Sequence, residues 1–380
     1  MGDDRSQKKE KPLTIAVDLT SLGERMSGLE RYAYRITEEL VRMAPQARFL
    51  LVVRNRVPAL LGAWRRFSNV RFCVVKGRNK LFLNQVRLPA VMTTFQADRY
   101  LFPAFPVPFF FRDRKTFGLI ADMSFFDCPE TMKQRSMWFF RLGAIHTAGV
   151  CKKVLTISHF SEGRIRKILG LSKEHILCAP CAADPNATIP GEEEIRRLRA
   201  KYQLPEKYWL TLCTLEPRKN LSMLVRAYRE LTEEGVQLPH LVLAGREGWK
   251  NRGLNREMKK TDRSDPGLLH RIGEVPDGDL PALYAGADCF LFPSNYEGFG
   301  MPPLEAQNYG VRKVVVSDIP ALKEVMGDTA FYFRNNDLRS LKQALLQAGI
   351  WKGCKEEKMR RNVARFSWYE SARKIWEEMQ

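Results

Sequence analysis

Short apolar runs recur along this 380-residue chain, and stretches with helical periodicity separate many of them. In the first half the runs are Leu13 to Leu19, Phe49 to Val53, Val70 to Val75, Arg99 to Phe102, Thr116 to Ile120, Val154 to Ile157 and Ile176 to Ala179. Helical patterns such as Leu29 to Met43 and Thr131 to Ala148 lie between some of them. This alternation predicts a parallel sheet wrapped by helices. The second half repeats it with Trp209 to Leu215, His240 to Ala244, Leu269 to Gly273, Cys289 to Pro293 and Lys313 to Val316, five parallel strands of a doubly wound α/β domain, followed by Ala330 to Phe333. Between the halves, Asp184 to Pro190 turns to Pro, Asn, Ala and Thr, as a linker does. The expected division is a disordered polar tail over 1–12, Rossmann-like domains over 13–185 and 190–362, and a closing helix over 363–380.

No apolar run approaches the roughly 20 residues that span a bilayer. Nor does the polar N-terminus offer the apolar stretch of a secretory signal, so the expected setting is cytoplasmic. Eight scattered cysteines do not make a disulfide framework. Cys178 and Cys181 form a lone CxxC with His175 nearby, but a zinc site would want a fourth ligand, so plain thiols are expected.

The net charge of +19 is uneven: residues 1–185 hold 31 Lys and Arg against 16 Asp and Glu. From Leu40 to Ala97 there are 11 basic residues and no acidic one. Leu81, Phe82, Leu83, Val86 and Leu88 are interleaved with these, and the Phe105 to Phe111 run precedes Arg112, Arg114 and Lys115. Apolar and basic residues together fit the edge of an anionic lipid layer, at the inner face of the cell membrane. The alternative is that the phenylalanines are core. Nucleic acid is not expected as a partner, since no known binding module is present.

A doubly wound sheet binds ligands beyond its strand ends, so motifs there carry most information. No GxGxxG or P-loop is present, which argues against an ordinary dehydrogenase or NTPase. Instead Glu216-Pro217-Arg218-Lys219-Asn220 follows one strand and precedes a helix, two adjacent cations suited to a diphosphate. After another strand come Glu297, Gly298, Phe299, Gly300, Met301 and two prolines, then Glu305. Prolines fix a helix start, and glycines let backbone amides approach a ligand. Glu297 and Glu305 could accept hydrogen bonds from hydroxyl-rich ligands, although each is also explicable as an ordinary loop or first-turn acid.

These segments, with the run from Ser317 to Val325, resemble retaining glycosyltransferases of family 4, which have the GT-B fold. The resemblance extends to Ser27-Gly28-Leu29-Glu30-Arg31-Tyr32, to Ser158-His159-Phe160-Ser161 and to Phe366-Ser367-Trp368. It implies two Rossmann-like domains facing a cleft, with the last helix crossing back to the first. It also implies that Arg218 and Lys219 neutralise the leaving diphosphate, that Glu305 holds the ribose, and that Glu297 holds the donor sugar with backbone help around Phe299, Gly300 and Met301. Gly28 lets the first domain's loop close over the phosphates. Asp122 is placed with the catalytic set, but family members commonly carry histidine where this chain has Ala121, and alanine cannot bond a sugar hydroxyl.

The implied activity is transfer of a hexose or deoxyhexose, of mannose or rhamnose type, from a nucleotide diphosphate sugar to a glycan acceptor, lipid-linked, with retention, in lipopolysaccharide or other cell-surface polysaccharide synthesis. The donor is a substrate, so no cofactor is expected. Two cations and a helix terminus can meet a pyrophosphate's charge without a metal. The alternative is a non-catalytic sugar-nucleotide or glycan-binding protein on the same fold.

Overall fold

The computed structural model describes residues 11–380 apart from Arg25 and Cys354. The tail expected over 1–12 therefore lies almost wholly outside the described residues. The seven runs of the first half form one parallel sheet: β1 (Thr14–Asp18), β2 (Arg48–Arg54), β3 (Val70–Val75), β4 (Arg99–Phe102), β5 (Thr116–Leu119), β6 (Lys153–Thr156) and β7 (Ile176–Cys178). Their spatial order is β3-β2-β1-β4-β5-β6-β7. The second sheet holds β8 (Tyr208–Leu212), β9 (His240–Ala244), β10 (Leu269–Gly273), β11 (Cys289–Phe292), β12 (Val314–Ser317) and β13 (Phe331–Phe333), in the order β10-β9-β8-β11-β12-β13. Five strands were expected there. The sixth is the short Phe331–Phe333 segment, which pairs parallel with β12 at the sheet edge.

Every pairing in both sheets is parallel. Such strands are covered on both faces, which is why they read as apolar runs and not as alternating patterns. Ile15, Phe49, Leu101 and Phe117 are completely buried in the first sheet, as are Trp209, Leu241 and Phe290 in the second. Each such side chain contributes about 1.5–3 kcal/mol by leaving water.

The order of strands reverses between β1 and β4 and again between β8 and β11. At such a switch point the flanking crossovers leave to opposite faces, opening a crevice beyond the carboxyl ends. The segments after β8 and β11 are the two that carry Arg218, Lys219, Glu297 and Glu305. Gly245, just past β9, has φ of +127° and packs so tightly on β8's extension that a Cβ would lie 1.9 Å from the Cys213 carbonyl oxygen. Only glycine fits there.

Helix Glu356–Ala364 packs on the C-terminal half, with Asn362 Nδ2 donating to Gln307 Oε1 at 2.9 Å. The next helix, Trp368–Met379, begins on a Ser367 cap and lies on the first half. There Trp368 meets Tyr32 edge to face at 5.9 Å, and Ser371 Oγ donates to the Pro180 carbonyl at 2.7 Å. The chain thus crosses between halves within residues 364–368.

The Phe105 to Phe111 run divides between the two readings it allowed. Val107 and Phe111 are core, whereas Phe110 is 73% exposed. Leu83 and Leu88 are likewise buried while Leu81, Phe82 and Val86 face solvent. Among the described residues no helix is long and apolar enough to cross a membrane.

Candidate functional site

Pro217–Lys219 forms a single 3-10 turn after β8, and Asn220, at φ +52°, redirects the chain into helix Leu221–Glu233. That turn aims Arg218 and Lys219 at the loop following β11. Lys219 Nζ donates to Glu297 Oε1 at 2.5 Å and lies 4.9 Å from the centre of the Phe292 ring. Arg218 Nη1 donates to Glu297 Oε2 at 3.0 Å and to the Tyr296 carbonyl at 2.7 Å, while Nη2 and Nε reach Glu216 Oε1 at 2.8 and 3.1 Å. Both Lys219 and Glu297 are buried.

A buried charge is tolerated only with partners, and here each has one. Burial acts to raise the Glu297 carboxyl, but Arg218 and Lys219 outweigh it and hold the group down to about 2. Burial likewise opposes the Arg218 charge, and Glu297, Glu216 and Asp122 more than offset it, so the guanidinium is firmly protonated. The result is a compact cluster in which two cations converge on Glu297.

The loop then enters helix Met301–Asn308 through Gly300, at φ +107°, with two prolines in the first turn. This frees amides at the helix entry, where negative charge is favoured. Phe299 is 2% exposed and packs edge to face on Phe366 at 5.1 Å, so its side chain belongs to the core and only its backbone can serve a ligand. Met301 begins the helix.

Glu305 sits apart from the Glu297 cluster, in a cleft of about 150 Å3 shared by both halves and lined by Met26, Arg31, Asp277, Leu280 and Tyr284 among others. Arg31 Nη1 donates to its Oε1 at 2.6 Å and Tyr284 Oη to its Oε2 at 3.0 Å. Gly28 opens helix Gly28–Met43 on the facing half, and a Cβ there would meet nothing within 4 Å. The space beside it is open.

Asp122 and Ala121 lie against the same loop: a Cβ on Gly298 would fall 2.8 Å from Asp122 Cβ and 3.1 Å from the Ala121 carbonyl oxygen. Asp122, Arg218 and Glu297 are therefore neighbours, drawn from both halves. Sequence reasoning assigned no role to Arg31, Glu216, Tyr284, Tyr296 or Asp127, all of which contact the named residues or their loop. Arg31 and Glu216 lie inside the Ser27 to Tyr32 and Glu216 to Asn220 motifs, but only the fold pairs Arg31 with Glu305 across the cleft, while Glu216 bonds Arg218 within its own turn. His175, Cys178 and Cys181 are not brought together as ligands. His175 Nε2 faces the Cys151 carbonyl at 2.8 Å, and Cys181 is core. Among the described residues His159, Glu162 and Cys178 are the one group of three with ligand atoms within 4.8 Å of one another.

Residues 194–365 match the family model described as glycosyl transferases group 1. The O-antigen chain mannosyltransferase B of Escherichia coli is 33% identical over 251 residues, 65% of this chain and 65% of that protein. The serotype-specific mannosyltransferase WbdA, also of Escherichia coli, is 35% identical over 186 residues, 47% of this chain and 22% of that protein. The chain thus spans less than two thirds of the length of these relatives. Among solved structures, the Anabaena protein HepE in complex with UDP and glucose superimposes with a TM-score of 0.72 at 16% identity, covering 97% of this chain and 99% of that one. The two facing sheets have the GT-B arrangement.

Proposed function

We propose that this chain is a glycosyltransferase of that group, moving a mannosyl residue from a nucleotide diphosphate sugar to a glycan acceptor in the synthesis of O-antigen or a related surface polysaccharide. The observation that carries the reading is the convergence of Arg218, Lys219 and Glu297 at the β8/β11 switch point, with Glu305 along the same helix entry. A nucleoside diphosphate leaves readily only if its developing charge meets preorganised donors. Arg218, Lys219 and the amides around Gly300 supply them without requiring a metal. Glu305 then accepts from the ribose hydroxyls once Arg31 yields, and Glu297 orients the sugar. The mannosyl preference and the polysaccharide setting come from the two relatives' names. Retention comes from the resemblance to family 4, and GDP is the carrier that a mannosyl donor calls for.

The experiment is direct. GDP, UDP, dTDP and ADP are titrated while thermal unfolding is followed, and the corresponding sugar donors are assayed with glycan and lipid-linked acceptors. GDP is expected to stabilise most; stabilisation by none of the four would overturn the reading. Ala121 gives a second outcome in the same assay. Wild type is expected to turn over a mannosyl or 6-deoxy donor, with Ala121→His altering the ratio between them. Turnover seen only in the variant would instead mean that alanine merely cripples the enzyme.

A lipid-linked acceptor at an anionic membrane surface fits the first half. Exposed Leu81, Phe82, Val86 and Phe110 are joined by Trp138, Leu142 and Ile145, spaced along the outer face of helix Gln134–Val150. The three segments form one surface, since the Phe109 amide donates to Gln85 Oε1 at 2.9 Å and His146 contacts the Pro108 and Phe111 carbonyls. Exposed Lys80, Arg87, Arg112, Arg114, Lys133 and Arg135 flank it. Replacing Phe110 and Trp138 together by serine is expected to lower affinity for anionic vesicles about thirtyfold, each ring contributing on the order of 1 kcal/mol when partly inserted. Equal sedimentation of wild type and variant with such vesicles would count against this surface.

A further inference from the structure

The loop that carries Glu297 is gripped from the opposite half as firmly as from its own. Tyr296 Oη donates to Asp127 Oδ2 at 2.9 Å and accepts from the Met123 amide at 3.3 Å. Asp127 is itself held by Arg164, whose Nε donates to Oδ2 at 2.9 Å and whose Nη2 bonds Oδ1. Ser158 Oγ donates to the Gly298 carbonyl at 2.5 Å, with Ser161 Oγ at 3.3 Å. On its own side, Tyr296 gives its carbonyl to Arg218 at 2.7 Å. A continuous chain thus runs Arg164, Asp127, Tyr296, Arg218, and it crosses the cleft at the Tyr296 to Asp127 hydrogen bond, beside the longer bond from the Met123 amide to the same hydroxyl.

From this geometry we infer that Asp127 is a positioning residue for transfer: through Tyr296 it clamps the donor loop, so that Arg218 and Glu297 take their working arrangement only with the cleft closed. The inference rests on the proposed donor site. Arg164 compensates the Asp127 carboxylate, and a hydrogen bond to an ionised acceptor is a strong one, so the link favours the closed state. It also costs nucleotide binding little when lost, because Arg218, Lys219, Glu305 and the helix entry all belong to the C-terminal half. Breaking it should therefore separate chemistry from binding.

The test compares wild type, Asp127→Asn, Tyr296→Phe and the double variant for kcat, for nucleoside diphosphate affinity, and by small-angle scattering of the nucleotide-bound protein. Each single variant is expected to lose about tenfold or more in kcat, since small misplacements of a reacting geometry are costly. Nucleotide affinity should stay within about twofold, and the double variant should be no slower than Tyr296→Phe, because that variant already lacks the link to Asp127. The radius of gyration of the nucleotide-bound variants should rise. Unchanged kcat in active wild-type background, additive losses, or nucleotide affinity falling in step with kcat would each overturn the clamp. So would an unaltered radius of gyration, which decides the matter even if the assigned donor proves wrong. Failure of wild type to bind any nucleoside diphosphate would instead sink the function assigned above.

Discussion

Arg218→Ala is expected to lower kcat by about 10²–10³, or roughly 3–4 kcal/mol of transition-state stabilisation, as loss of one preorganised donor does elsewhere. The side chain cannot be spared by its neighbours. Its guanidinium spans Glu216, Glu297 and the Tyr296 carbonyl, so its removal deletes one cation and leaves two carboxylates at the proposed diphosphate site. Lys219 alone must then offset both. Nucleotide affinity should fall too, but less, because charge on the bridging oxygen grows on the way to the transition state. Arg218→Lys separates charge from shape: it restores a point charge without the fork, and is expected to recover only part of the loss. Steady-state kinetics with saturating donor and direct nucleotide titration measure the two effects. Unimpaired transfer by Arg218→Ala would remove the residue from the site.

How much of this was legible in the sequence depends on the distance over which each signal acts. Parallel strands buried on both faces announce themselves as apolar runs, and all thirteen strands coincide with a run that can be read off the chain. The Glu216 to Asn220 turn and the Glu297 to Glu305 segment were legible for a similar reason, since proline, glycine and paired charges just after a strand are local marks of a ligand loop. Pairings were not legible. Arg31 is marked only by its place in the Ser27 to Tyr32 motif, and its partner is unknown until the fold sets it 2.6 Å from Glu305. Tyr296 reads as one more loop aromatic until Asp127, 169 residues away, accepts its hydrogen bond. The mixed fate of Phe105 to Phe111 has the same origin, because an unbroken apolar run carries no period to say which ring turns inward.

Replacing Glu297 by glutamine is expected to destabilise the nucleotide-free protein by about 3–5 kcal/mol, the usual consequence of stranding buried charge. Lys219 would be left with the Phe292 ring as its remaining close partner. The pH dependence follows from the lowered carboxyl. Its ordinary value is 4.5 and its folded value about 2, so its contribution is complete above about 4.5 and is lost as pH falls toward 2. Wild type should therefore lose this stability only on the acid side, and the glutamine variant should show a correspondingly weaker acid dependence. For the same reason Glu297 stays ionised across neutral pH, cannot act as a general acid, and should leave no inflection in the pH profile of kcat there. A nucleoside diphosphate supplies the negative charge that glutamine lacks. Calorimetry should accordingly find a larger nucleotide-induced rise in unfolding temperature for Glu297→Gln than for wild type. Equal rises, together with an unchanged nucleotide-free unfolding temperature, would mean that the buried cations do not wait for a pyrophosphate.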